Sequence, residues 1–380
     1  MAVKKTVLKS IGLLLLSLFS LCSMAQQDVY FAGVSYLGQH QLLQENYPQA
    51  LRINAQTDSA VGRLDQALRQ QMQQHKTAAL NVRFDLADYR KGNSVVISLG
   101  IEKEYLSTEL IGDKRKLIAK VSAQLLLFDY KRGVLLSSVP VAAAKNHVQS
   151  SKASVQDAQQ QLFEDLYLGR KDQPGLLALA SQKLPELLAS TKVTRRFQVA
   201  EVSLAEPLVP LLPSNYSEQG VTQYIGQYFT AQLANQGRVA VLPYVRGAGF
   251  GNKMAGRFAN GDVFNLTLPK PDYVFKLQLS NLKKAPYKDD MLFACRMQVS
   301  LDEPFSEKTL AEGHIHYAVA KLISPNHKQV DEWAAYQDAM EVLLDDFIHQ
   351  LPQPQRSWVK QHSDSKSLYQ QLKQHKKLFN

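Results

Sequence analysis

Two histidines and a carboxylate alternate along one predicted strand near the end of the chain. Glu312, His314 and His316 occur in the stretch TLAEGHIHYAVAKLI. Side chains two residues apart on a strand point to the same face, so these three share one face. Two imidazoles and a carboxylate are suitable ligands for zinc or another transition metal. The same pattern is typical of a polar, solvated sheet face, and the sequence identifies no further ligand, so both interpretations stay open.

Three glycines spaced two apart follow an apolar stretch in VLPYVRGAGFGNKMAG. A phosphate-binding P-loop needs the spacing Gly-x4-Gly-Lys-Ser/Thr. Counted from Gly247, Asn252 replaces the second glycine and Met254 replaces the hydroxyl residue. We therefore expect Gly247, Gly249 and Gly251 to form a turn or a partner-facing loop rather than a nucleotide site.

The remaining sequence lacks recognisable catalytic motifs. It contains neither HExxH nor GxSxG, and acidic pairs such as Asp289/Asp290 are adjacent, which points their side chains apart. Cys295 lies on an apolar strand face in MLFACRMQVSL, which favours a buried, inert thiol. We expect a protein without enzymatic activity and without a cofactor.

The carboxy-terminal tail, residues 353–380, combines apolar spacing with positive charge. Pro352 and Pro354 end the preceding helical pattern. One narrow helical face is then formed by Leu368, Leu372, His375 and Phe379. The formal net charge of the tail is +5, with Lys373 and Lys376 among its basic residues. Either this helix docks on a partner or an anionic surface, or it packs on its own domain.

The amino terminus has the organisation of a secretory signal peptide. The apolar run Ile11–Leu21 follows three lysines and precedes the small residues Ser23 and Ala25. We therefore predict that residues 1–25 are removed and that the mature chain enters a bacterial periplasm. Cys22 offers a lipoprotein alternative, but Leu21 stands where bacterial lipoprotein signals resemble one another in having Gly, Ala or Ser.

Composition narrows the class of partner. Loss of residues 1–25 lowers the formal net charge from +10 to +7. A basic surface of this kind suits anionic partners such as lipid head groups or cell-wall polymers. Export disfavours a role in nucleic-acid binding. About 355 residues remain, enough for about two domains.

The mature chain is predicted to contain two similar modules, residues 26–192 and 193–352. The first opens with the strand VYFAGVSYL and a helix capped by Thr57 or Asp58, followed by three strand-like runs. The last run is a hairpin that turns at DYKRG, and two helical patterns close the module.

The second module repeats this order. RFQVAEVSLA is its first strand, a helix ends at Gly237, and RVAVLPYV is the next strand. Three further strands and the helix DEWAAYQDAMEVLLDDFIHQL complete it. We predict an α/β fold, an α+β sandwich, in which each module is a mixed sheet with packing helices and its first two strands are parallel.

Several stretches resemble the superfamily of the TolB amino-terminal domain and the curli secretion channel. AQLLLFDYKRGVLLSSVPV is similar to its strand-turn-strand segment, PDYVFKLQLSNL to a later strand, and GQYFTAQLANQGRVAVLPY to its helix followed by a strand. The resemblance implies anticodon-binding-like α/β modules in Gram-negative envelope proteins, which dock to partners and build rings or scaffolds. The first module departs from the family because it has little helix between its second and third strands.

These observations predict a non-enzymatic periplasmic scaffold or assembly factor. Its partners would be proteins of an envelope machine, such as a secretion, flagellar or cell-wall apparatus, and it would be able to form an oligomer or ring. The alternative is a periplasmic solute- or metal-binding protein, which would use the histidine strand face or the cleft between the modules.

Overall fold

The structure is a computed structural model. It describes residues 27–38, 43–57, 59, 61–75, 80–84, 95–193, 195–213, 216–237, 239–246, 252–288, 290–322, 327–329 and 331–379. The predicted signal peptide, residues 1–25, lies outside the described residues. So do Gly247, Gly249 and Gly251.

Strands and helices follow one another in groups along the described chain. The strands are β1 (Gln27–Leu37), β2 (Leu80–Arg83), β3 (Val95–Ile111), β4 (Lys114–Asp129), β5 (Val134–Ser150), β6 (Arg196–Leu204), β7 (Ala240–Val241), β8 (Lys253–Phe258), β9 (Val263–Thr267), β10 (Tyr273–Tyr287), β11 (Asp290–Glu303), β12 (Lys308–Leu322) and β13 (His327–Gln329). The helices are α1 (Leu43–Asn46), α2 (Pro48–Asn54), α3 (Arg63–Gln74), α4 (Val155–Leu168), α5 (Leu176–Gln182), α6 (Leu184–Ser190), α7 (Glu218–Gly237), α8 (Glu332–Gln350), α9 (Arg356–His362) and α10 (Leu368–His375). In the part of the chain that the structure describes, no helix has both the length and the apolar character required to cross a bilayer.

The first sheet closes on itself. Its strand order is β13-β3-β4-β5-β9-β8-β1-β2, and β1 also pairs in parallel with β3. Six strands, β1, β3, β4, β5, β9 and β8, therefore form a ring, although β5 and β9 meet only at Val134 and Thr267. Each of these strands contributes to one apolar cluster, in which Phe128 stacks on Phe258 and Phe264. This cluster ties the six strands together as a small barrel.

The β8–β9 hairpin belongs to the second half of the sequence but completes the first sheet. The sequence interpretation missed it. Met254, Gly256 and Phe258 alternate on β8, and Asn260-Gly261 is a tight-turn dipeptide that could have indicated a hairpin. Gly261 has a φ of +96°, the left-handed backbone conformation that such a turn requires.

The outer face of the first sheet packs against helices. Alternate residues of β4 from Leu117 to Leu127 are buried there, as their spacing predicts. Helices α2 to α6 cover them with apolar side chains, among them Leu64, Leu68 and Met72 of α3. The predicted hairpin is also confirmed, because β4 and β5 pair antiparallel on either side of DYKRG.

Two local predictions were wrong. Helix α3 begins after Gly62 rather than at Thr57 or Asp58, because Asn54 Oδ1 accepts the Leu64 N–H at 2.9 Å and so caps the helix from a distance. The predicted strand RVAVLPYV is reduced to Ala240–Val241. Pro243 lacks the backbone N–H that a continued strand would need.

The second sheet has the order β12-β11-β10-β6-β7. β6 pairs in parallel with both β7 and β10, while β10, β11 and β12 are antiparallel. The parallel β1–β2 and β6–β7 pairs confirm the predicted crossover geometry. One face of this sheet packs on α7, α8 and α10 in a single apolar core.

The α/β fold class is therefore confirmed, and the two sheets fit tandem modules. The module boundaries stay a prediction. Three strands that follow residue 193, namely β8, β9 and β13, pair within the first sheet.

Helix α7 links the two sheets. It contacts β6 of the second sheet and β5 of the first. Lys120 of β4 forms an ion pair with Glu341 of α8, and the Tyr224 hydroxyl of α7 donates to the same carboxylate. Ser107 of β3 donates to Asp331, the N-cap residue of α8, at 2.7 Å. The two halves thus meet through polar contacts around α7 and α8.

Candidate partner-binding surface

The tail packs on its own domain. Leu368, Leu372 and Phe379 are buried in the core of the second sheet, where the Phe379 ring lies 5.1 Å from that of Phe197. The prediction that these three side chains bind a partner is therefore corrected, because they already fill the core of the protein. Their helical spacing indicated an apolar face correctly but did not identify what covers it.

The tail also covers the edge of the second sheet. The Asp364 N–H donates to the His314 carbonyl at 3.3 Å, and the Ser363 hydroxyl donates to the same oxygen at 2.7 Å. In return, the His314 N–H donates to Ser365 Oγ at 3.1 Å. These bonds occupy backbone groups that an edge strand would otherwise leave open. Lys373 and Lys376 remain exposed, so the basic side of the tail still faces outward.

Glu312, His314 and His316 lie on the face of β12 opposite the core, as predicted. Glu312 Oε1 accepts from Gln298 at 2.7 Å, and His316 Nδ1 lies 4.0 Å from Asp364. Within the described residues, no group of three His, Cys, Asp or Glu side chains is placed to hold a metal ion. The metal hypothesis thus rests on the sequence pattern alone. The observed contacts of Glu312 and His316 are those of a polar sheet face.

Cys295 is buried in the core of the second sheet. Burial raises the pKa of its thiol to about 12. A thiol of that kind carries almost no thiolate at neutral pH, which agrees with the expected inert side chain.

An open groove of about 1090 Å³ crosses one end of the uncovered face of the second sheet. We call it the Phe305 groove. Its walls come from β6, β10 and the β11–β12 turn, together with the segments before β6, β8 and β10, and include Arg195, Gln198, Asn252, Lys270, Val274, Lys276, Asp302, Phe305 and Lys308. Gly251, the last glycine of the predicted partner-facing loop, directly precedes Asn252 in the chain.

The β11–β12 turn presents an apolar ring at the rim of this groove. Phe305 is fully exposed. Glu307 closes the turn with a φ of +52°, and its N–H donates to the Pro304 carbonyl at 3.4 Å. The Ser306 hydroxyl donates to Glu303 Oε2 at 2.5 Å. These contacts fix the turn, so the exposed ring is held on an ordered backbone.

The floor of the groove is polar and internally paired. Lys276 Nζ lies 2.9 Å from Asp302 Oδ2. Asn252 has a φ of +44°, and its Nδ2 donates to the carbonyls of Leu268 and Pro269 at 3.0 and 2.8 Å. Its Oδ1 accepts from Gln198 Nε2 at 3.2 Å. A wide groove bordered by an exposed aromatic ring is suited to another protein surface, because aromatic residues are enriched at protein interfaces.

A second region of interest lies between the sheets. A cavity of about 290 Å³ opens beside the Lys120–Glu341 pair, with Tyr105, Tyr224 and Tyr228 in its walls. Below it, Tyr105 and Ser122 both donate to Gln227 Oε1, at 3.1 and 3.3 Å.

Three carboxyl groups of the first half have pKa values above the ordinary range. Burial raises the pKa of Glu102 to about 8, that of Glu104 to about 7 and that of Asp65 to about 6. Glu104 nevertheless has a structural role, because it accepts the N–H groups of Gln49 and Ala50 at the start of α2. Sequence reasoning did not single out these carboxyls, since the charged stretch IEKEYL is typical of an exposed strand end.

Comparisons with known proteins give little direct guidance. No protein-family model matches the sequence, so the resemblance to TolB and the curli secretion channel has no support of that kind. No curated protein matches it either.

Solved structures with partial similarity come from several bacteria. A DUF330 protein from Xanthomonas campestris is 13% identical and aligns over 41% of this chain and 81% of its own, with a TM-score of 0.26. A hypothetical protein from Chlamydia trachomatis is 10% identical and aligns over 41% of this chain and 92% of its own, with a TM-score of 0.26. A minor lipoprotein from Acinetobacter baumannii is 14% identical and aligns over 43% of this chain and 92% of its own, with a TM-score of 0.23. These TM-scores are too low to transfer a fold or a function to this chain.

Proposed function

We propose that this protein is an exported, non-enzymatic scaffold or assembly factor of the bacterial cell envelope and that it docks a protein partner in the Phe305 groove. One observation carries the proposal. A fully exposed phenylalanine on an ordered turn borders a groove of about 1090 Å³. Export is supported by the signal-peptide pattern of residues 1–25.

The chemistry of the groove favours a protein over a small anion. Acidic side chains such as Asp302 alternate with basic ones such as Lys276, so no single sign of charge dominates. Aromatic anchors beside well-packed polar contacts are typical of residues that dominate protein interfaces. Phe305 would insert into a pocket of the partner, while exposed charged side chains of the groove such as Glu307 and Lys308 would pair with polar groups of the partner.

The test is replacement of the anchor in the full chain, expressed with its own signal peptide. Phe305→Ser is expected to weaken partner binding by about 30-fold, which corresponds to loss of an aromatic hot spot worth about 2 kcal/mol. Partner recovery is measured by quantitative mass spectrometry after affinity purification from envelope extracts.

Leu211→Ser is the matched control, because Leu211 is an exposed apolar side chain outside the groove, with 65% of its surface accessible. Proteins that are lost with Phe305→Ser and kept with Leu211→Ser support the proposal. Equal recovery with both variants and the unchanged chain would remove the groove as the docking site.

A further inference from the structure

One long strand of the first sheet has an open edge. β5 pairs with β4 from Val134 to Ser150 but meets β9 only at Val134. Among the described residues, no other backbone group forms a hydrogen bond with Val141–Gln149 on the side away from β4, while the Ser150 carbonyl accepts the Ala153 N–H at 3.1 Å. Alternate residues of an edge strand point their N–H and C=O groups outward, so about four of each are available over these nine residues.

Two hollows flank this open edge. One of about 520 Å³ includes Ala143, Lys145 and Asp165, and one of about 290 Å³ includes Ala142, Ala144 and Tyr228. Both hollows are lined by Ala143 and Ala144, whose small side chains leave the edge accessible. We call the edge and its two hollows the β5 slot.

The two faces of the slot differ in chemistry. Ala142, Ala144 and Val148 share the face toward α7, because they pair with Ser122, Lys120 and Lys116 of β4. This face is mostly apolar, and the rings of Tyr224 and Tyr228 line its hollow, while Val148 is largely exposed.

The opposite face carries surplus positive charge. Lys145 and Arg170 both pair with Asp165, at 3.3 and 2.5 Å. One carboxylate balances only one of these two cations, and Arg170 keeps 58% of its side chain exposed. An acidic side chain brought to this face would therefore find a partner.

We propose that the β5 slot binds an extended segment of a partner protein as an added strand, with apolar side chains toward α7 and acidic side chains toward Lys145 and Arg170. Strand addition to an open edge obtains affinity from the backbone and specificity from alternate side chains. Ala142–Asn146 spans about 16 Å, enough for the central residues of such a segment.

The walls of the slot favour a single strand over a second copy of this chain. Gln173 and Pro174 line one hollow, and Ala231 and Gln232 of α7 line the other, so both hollows have walls from outside the sheet. Residues from outside the sheet therefore border the edge on both faces, an arrangement that suits one extended chain.

The test uses the mature full-length chain and three ten-residue peptides. The first alternates valine with glutamate, and the second alternates valine with lysine. The third has the sequence of the first, but its backbone is N-methylated at alternate residues. The valine–glutamate peptide is expected to bind in fluorescence anisotropy and to slow amide hydrogen exchange within residues 141–150. At low salt we expect at least tenfold weaker binding of the lysine peptide and no binding of the N-methylated peptide, because the latter cannot complete the strand ladder.

Two variants locate the binding. Ala144→Tyr should block the slot, whereas Ala153→Tyr, an exposed position in the turn after β5, should not. Arg170→Gln should weaken binding of the valine–glutamate peptide but not that of the valine–lysine peptide. This variant keeps the test informative if Ala144→Tyr misfolds.

The proposal is overturned if the glutamate peptide does not bind, if it binds no better than its N-methylated form, or if the exchange of residues 141–150 is unchanged. It is also overturned if sedimentation shows dimers that Ala144→Tyr dissolves, because the edge would then serve a second copy. The Phe305 groove is a separate surface, so the failure of either proposal leaves the other standing.

Discussion

Glu102 is the clearest case in which the environment of a single residue changes its chemistry. It lies on β3 with 8% of its surface exposed, and its Oε1 accepts from Gln124 Nε2 at 3.2 Å. Burial penalises the charged form of the carboxyl, which is why the pKa rises to about 8. At pH 7 this carboxyl is largely protonated in the folded protein.

Glu102 makes the stability of the protein depend on pH. The folded pKa of about 8 exceeds the ordinary value of 4.5. The stabilisation of the folded protein that comes from neutral Glu102 is therefore complete below pH 4.5 and is lost as the pH rises to 8. Glu102→Gln should reduce the fall in unfolding free energy between pH 5 and pH 8 by at most about 4 kcal/mol, since each of the three pH units contributes at most about 1.4 kcal/mol. Urea denaturation at both pH values measures this difference.

A residual slope is expected in that variant, because burial also raises the pKa of Glu104 and Asp65. Glu201→Gln, at an exposed position of β6, is the control and should keep the full slope. An unchanged slope in Glu102→Gln would show that the carboxyl is not held in its neutral form.

At the scale of elements, the tail acts as the last layer of the second sheet. Leu368 and Leu372 of α10 lie in the core, and a Cβ at Gly313 would come within 3.1 Å of Leu368. Residues 363–365 meanwhile occupy the backbone of the β12 edge. The tail is therefore part of the folded body, with its lysines on the outside.

Truncation of a buried tail residue should destabilise the whole protein. We expect Leu372→Ala to lower the unfolding free energy by about 2–5 kcal/mol, because it leaves a cavity in the core. Lys373→Ala, on the exposed side of the same helix, should change it by less than about 0.5 kcal/mol. Thermal and urea unfolding followed by circular dichroism compare the two variants, and equal stabilities would show that α10 is detached in solution.

At the scale of the whole molecule, the two halves are interlocked rather than joined by a linker alone. The β8–β9 hairpin supplies Met254, Phe258 and Phe264 to the apolar cluster of the first sheet. Helix α7 packs between the sheets, and Lys120 and Glu341 pair across them. The first half therefore depends on the second for two strands of its barrel.

A fragment of residues 26–192 tests this dependence. It contains the first predicted module but lacks β8 and β9, so the apolar faces of β4 and β5 would be exposed to water. We expect a broad, non-cooperative urea transition and strong binding of a hydrophobic dye, in contrast to a chain of residues 26–380. A cooperative transition with a native near-ultraviolet spectrum would show instead that the first module folds by itself.

Local periodicity determined most of the elements. The alternation in β4, the helical spacing in α8 and the turn at DYKRG each predicted the observed structure, because burial on one side imposes a period on the sequence. The tail shows the limit of that reasoning. Its spacing predicted an apolar face, but two coverings were compatible with it, and only the fold brings Phe379 against Phe197.

The sequence by itself determined the α/β class and most of the order of strands and helices, since both are written in neighbouring residues. Tertiary structure alone decided that β8 and β9 close the first sheet, that the tail is core, and that Glu102 is buried. These outcomes depend on contacts between residues far apart in the chain, such as Ser35 with Phe258. Periodicity indicates that a face must be covered, and the packing of distant segments selects what covers it.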